Sequence, residues 1–125
     1  MKVEVNGENY QKQRAITDVI NKLLFQIEED TGGSSVHRDK LKHESFLELV
    51  EMGDKIVNYI FYLMTEYGGS WIYFLLLQKI VKNPPKLPNE VAGKFIHQTI
   101  HWMQWYVESD YYKNNDTYFN LVNGD

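Results

Sequence analysis

His97 and His101 stand four residues apart, the spacing at which two imidazoles on one helix can share a metal ion. A zincin-type site would place Glu beside the first histidine, where this chain has Gln98, and would need a third ligand. The pair therefore reads as two surface histidines, and no metal is expected. His43 precedes an apolar stretch, where its ring could cap backbone N–H groups or act as a base. No serine, cysteine or carboxylate stands at a recognisable spacing from it, so a structural role is expected. Gly-x-Ser-x-Gly and the phosphate-binding Gly-x-x-x-x-Gly-Lys-Ser/Thr loop are both missing. Gly32-Gly33-Ser34-Ser35 reads as a joint, and Glu28-Glu29-Asp30 as an exposed acidic edge at a helix end whose dipole disfavours it. The expectation is a protein that is not an enzyme and carries no cofactor.

Two features point to binding. The first is basic: Arg38, Lys40 and Lys42 between His37 and His43, and Lys79, Lys82 and Lys86 around a proline-rich joint. Were the two groups adjacent, they could grip single-stranded RNA by phosphate contact and stacking on nearby tyrosines. Thirteen basic against seventeen acidic residues, a net charge of -4, work against a phosphate-driven partner. The second is aromatic: nine Tyr, six Phe and three Trp make up 14% of the chain, more than one small core requires. Trp102 and Trp105 are expected in the core with Trp71 and Phe74. Tyr59 and Tyr62 are placed on different sides of one helix, so the tyrosines cannot all point inward. Tyr59, Tyr62, Tyr67, Tyr111 and Tyr112 are the candidate surface for a protein partner, because exposed Tyr favours interfaces.

The elements that must position these residues read as helices. Ile16, Val19, Ile20, Leu23, Leu24 and Ile27 form one apolar stripe, predicting a helix from about Glu8 to Asp30. A polar connection, Ser34 to Lys40, has room for one helical turn. A second helix runs from Glu44 to Met52 and buries Phe46, Leu49 and Val50. Gly53 suits a left-handed residue after it, and Asp54 an N-cap for a third helix, Lys55 to Tyr67. Gly68-Gly69 ends that helix, and Ser70 caps a fourth and central one, Trp71 to Val81. The run Asn83 to Pro88, with all three prolines, cannot be helix interior. Asn89 then caps a last helix, Glu90 to Tyr112, burying Val91, Phe95, Trp102, Trp105 and Tyr106. The fold class is all-α, a compact single-domain bundle of four to five helices spanning 1–125. Residues 1–7 and 113–125 are expected to be irregular, with Tyr118-Phe119 and Leu121-Val122 available to dock.

A chain of 125 residues with 43% apolar and 24% charged residues can bury a real core without staples. It has no Cys, which excludes disulfides, Cys-ligated zinc and thiol chemistry together. Met1 to Tyr10 is polar and shows no leader pattern. The longest uncharged run, Tyr67 to Gln78, is too short to cross about 30 Å of hydrocarbon as a helix. A soluble, cytoplasmic protein without a membrane partner is expected.

The second half carries a pattern: His43 with Phe46, Met52-Gly53, the apolar helix opening at Trp71, Asn83-Pro84, Gly93, and Trp102-Met103-Gln104-Trp105. Over residues 43–106 it resembles a family of small, functionally uncharacterised bacterial helical proteins. Glu44 departs from that pattern, which usually has Pro after the His. Trp71-Ile72-Tyr73-Phe74 stands in place of a Trp-Phe-Trp cluster, and Tyr106 in place of Gly. The helix-Gly-helix corner is also similar to one unit of HEAT-type repeats, but a solenoid needs at least three. The resemblance implies a helical fold and a bacterial or phage setting, and no mechanism. The expected function is a non-catalytic protein-binding regulator or inhibitor, antitoxin-like or directed at a defence nuclease, with a homo-oligomer compatible. An RNA-binding module is the second expectation and a metal-dependent enzyme the third.

Overall fold

A computed structural model describes residues 7–31 and 37–113, and every regular element among them is helical. The residues expected to be irregular lie mostly outside that description, as do Tyr118-Phe119 and Leu121-Val122; Gly7 and Lys113 are helical. The first helix, α1 (Gly7–Thr31), turns Ile20, Leu23, Leu24 and Ile27 into the core. Ile16 and Val19 belong to the same stripe yet stay exposed, so the buried face begins at Ile20. A short helix, α2 (His37–Leu41), supplies the turn expected in the connection.

Helix α3 (Glu44–Met52) has the predicted bounds and buries Phe46 and Leu49, with Val50 half-buried. Gly53, at φ 68°, ends it in a conformation that L side chains rarely adopt. Asp54 does not cap the next helix. The chain instead makes a 3₁₀ turn, Gly53–Ile56, into α4 (Val57–Tyr67), and neither start has a side-chain cap. The tight turn places Ile56 and Val57 together in the core, both fully buried, and leaves the Asp54 carboxylate to another partner.

Gly68, at φ 89°, terminates α4. A Cβ on Gly69 would meet Thr99 Oγ1 and lie 3.1 Å from Phe74 Cζ, so the loop ahead of α5 (Trp71–Ile80) presses against the last long helix. Ser70 Oγ accepts from the Ile72 amide at 3.3 Å, the expected N-cap. α5 buries Ile72, Phe74, Leu76 and Leu77 and packs Trp71, Tyr73, Leu75 and Ile80 against the core edge.

The predicted last helix is three pieces. α6 (Asn89–Ala92) follows Pro88 without a side-chain cap, so Asn89 opens the helix and does not cap it. Gly93, costly in a helix interior, breaks the run, and Lys94 is extended at φ -108°, ψ 110°. α7 (Phe95–Glu108) then buries Gln98, Trp102 and Tyr106, while Trp105 is half-buried and Phe95 sits at the rim. Ser109 turns the chain again: its Oγ donates to Tyr106 O at 2.6 Å and accepts from the Tyr112 amide at 3.3 Å, capping α8 (Asp110–Lys113).

One hydrophobic cluster joins α1, α3, α4, α5 and α7. Each fully buried Ile, Leu or Phe in it contributes about 1.5–3 kcal/mol. Phe61 stacks on Tyr106 at 4.0 Å and lies 6.3 Å from Trp102, which meets Trp105 edge-on at 5.5 Å. Among the described residues, no helix is long and apolar enough to cross a membrane.

Candidate functional site

His43 is an N-cap. Its Nδ1 accepts from the Ser45 amide at 3.0 Å, and its Nε2 lies 2.7 Å from Asp30 Oδ2. A ring that accepts through Nδ1 donates through Nε2, so the imidazole starts α3 and holds the end of α1 with one tautomer. That engages both nitrogens in structure. It also gives Asp30, at the unfavourable end of α1, a donor that the sequence does not reveal.

His97 is exposed and His101 half-buried on α7. Among the described residues no three His, Asp or Glu side chains converge as a metal site would require.

The basic residues separate into different roles. Lys40, expected to bind phosphate, is buried at 7% exposure. Its Nζ donates to Thr31 Oγ1 at 3.1 Å and to Thr31 O at 3.4 Å, satisfying the last turn of α1 where the helix dipole favours a cation. It is therefore not available to nucleic acid. Lys42, Lys79, Lys82 and Lys86 are exposed, and the Arg38 side chain lies outside the described residues. The loop bearing Lys82 and Lys86 is fastened to α7, because Trp105 Nε1 donates to Asn83 O at 3.0 Å.

The tyrosines divide as well. Tyr59 is buried, and its hydroxyl donates to Asn21 Oδ1 at 2.7 Å, so it ties α4 to α1 and is no surface residue. Tyr62 stacks on it at 5.9 Å and 22°, on the same side of α4, as residues three apart on a helix must. Burial raises the Tyr59 phenol above its ordinary value, against the lowering effect of Asn21. Tyr111 is half-buried, its hydroxyl bonded to Asp54 Oδ1 at 2.7 Å and its ring near Trp105. Burial, with the Asp54 hydrogen bond and charge behind it, pushes Tyr111 up to about 12. Tyr112 is exposed, its ring edge-on to Tyr106 at 5.3 Å. Tyr67 is the most open of the set, at 76%.

One face was not foreseen, and a second was foreseen only through its tyrosines. On the outside of α7, Ile96, Ile100 and Val107 are exposed in line with half-buried Met103. Their four-three-four spacing was present in the sequence. On α1, Phe25 is 63% exposed, four residues on from Asn21, which accepts from the Tyr59 hydroxyl. Burial raises the Tyr73 phenol first, and the Glu28 carboxylate and Tyr67 raise it further.

Comparison of the chain with family models, with curated proteins and with solved structures gives no match.

Proposed function

We propose that this protein is a non-catalytic interaction module, a small regulator or inhibitor that acts by docking on another protein. The observation that carries the reading is the outer line of α7: Ile96, Ile100 and Val107 are exposed, with Ile96 at 69%. Apolar side chains repeating at four-three-four spacing make the seam by which one helix seats against another or in a groove. A contiguous apolar line on a charged helical protein marks an interaction surface more often than chance exposure does. The resemblance of residues 43–106 supports a bacterial or phage setting. The net charge of -4 supports a target with a positive surface, such as the nucleic-acid channel of a defence nuclease.

The test is capture of partners from host lysate by tagged wild-type chain and by Ile100→Lys, each with and without nuclease treatment. The reading expects a specific protein retained by the wild type in both arms and lost with Ile100→Lys. Recovery that disappears on nuclease treatment would replace it with RNA binding through Lys42, Lys79, Lys82 and Lys86.

A further inference from the structure

We infer that the face between α1 and the α4–α5 pair seats an arginine- or lysine-rich segment of a partner protein, through Phe25, Glu28, Tyr62, Tyr67 and Tyr73, with buried Tyr59 only holding the two sides together. The inference rests on the interaction-module reading and adds the partner's chemistry and a second face, separate from α7.

The geometry begins with Tyr59, whose hydroxyl bond to Asn21 pins α4 against α1. Tyr62 stacks on Tyr59, presenting a second, half-buried ring beside it. Tyr67 and Phe25 are large aromatic side chains held mostly in solvent, at 76% and 63% exposure. Tyr73 is half-buried on α5; burial raises its phenol first, the Glu28 carboxylate and then Tyr67 raise it further, and Glu28 itself is exposed. Asn21, Phe25 and Glu28 recur at four and three residues on α1, so they share one side of that helix.

Charge selects the occupant. From Asp18 to Glu29, α1 carries Asp18, Glu28 and Glu29 against one cation, Lys22, and Glu66 is exposed beside Tyr67. An acidic segment would be repelled there, and a purely apolar one would strip water from Glu28 without returning a hydrogen bond. A guanidinium meets both demands at once, stacking its plane on an aromatic face while donating to a carboxylate. Lysine meets them less well, as a compact and strongly hydrated charge.

The experiment is isothermal titration of the full chain at low salt with nona-arginine, nona-lysine and nona-glutamate peptides. The variants are Glu28→Gln, Tyr67→Ala and, as a control on α3, Glu48→Gln, all at exposed positions. Nona-arginine is expected to bind more tightly than nona-lysine, and nona-glutamate not to bind. Glu28→Gln and Tyr67→Ala should each weaken nona-arginine by about three- to tenfold, while Glu48→Gln, which removes the same charge elsewhere, changes it less than about twofold. Absence of nona-arginine binding, or an equal loss with Glu48→Gln, would overturn the inference. If that happens while lysate capture still depends on Ile100, the interaction-module reading stands and only the basic-segment inference is lost.

Discussion

The Tyr111 hydroxyl donates to Asp54 Oδ1 at 2.7 Å, joining residues 57 apart and clasping α8 to the turn between α3 and α4. The bond exists because Ser109 breaks the helix after Glu108 and swings Tyr111 back toward the body. Tyr111→Phe keeps the ring beside Trp105 and removes only the bond. A loss of about 1 kcal/mol in urea unfolding is expected.

The same residue sets an alkaline limit. Tyr111 ionises at about 12 in the folded chain, above its ordinary value of 10.0. Its protonated form is therefore favoured by folding, and the contribution is fully present below pH 10.0. As pH rises from there through about 12, the unfolded chain releases the proton first and stability falls. The stability difference between wild type and Tyr111→Phe should shrink over that window, measured by urea titrations at successive pH values. A difference that stays constant would exclude this linkage.

His43→Ala removes the cap of α3 and the donor to Asp30 together. A loss of about 1–2 kcal/mol is expected, and His43→Asn should recover part of it, since Asn is a good N-cap but reaches Asp30 less well. Thermal unfolding of the two variants separates the cap from the Asp30 contact.

Gly69→Ala should destabilise by about 1–3 kcal/mol, because the new methyl collides with Thr99 Oγ1 and crowds Phe74. Adding Thr99→Ala removes the nearer obstacle and should restore part of the loss. A double variant no better than the single one would place the strain elsewhere.

Two neighbouring lysines should behave differently. Lys40→Ala leaves the Thr31 carbonyl and hydroxyl without the buried ammonium and should cost about 1–3 kcal/mol. Lys42→Ala, at an exposed position, should change stability by less than about 0.5 kcal/mol. Chemical unfolding of both variants decides whether Lys40 is structural.

Local signals made the helices legible, and tertiary ones hid the site. Gly53, Gly68 and Ser70 act through the backbone of their own neighbours, so the ends of α3, α4 and α5 could be read within a residue or two. The apolar spacing from Val91 through Phe95 to Tyr106 continues across Gly93, which masked the break there, and Ser109 looks like an ordinary polar position until its hydroxyl turns back on Tyr106. The roles of Lys40 and Tyr59 depend on Thr31 and Asn21, partners 9 and 38 residues away in sequence. No periodicity contains such pairings. The outer line of α7 was written in the spacing of Ile96, Ile100, Met103 and Val107, but spacing alone does not say which of two apolar faces of a helix is buried, and here Trp102 and Tyr106 take the core.

The distant hydrogen bonds bear on how long the native state lasts. Tyr106 to Asn58 spans 48 residues and Trp105 to Asn83 spans 22. Closing such separations costs chain entropy before any bond returns it. The fastenings of α7 and α8 are thus expected to form after the folding barrier is crossed. Weakening them would leave the refolding rate nearly unchanged and speed unfolding, making the aromatic C-terminal clasp a brake on escape from the folded state.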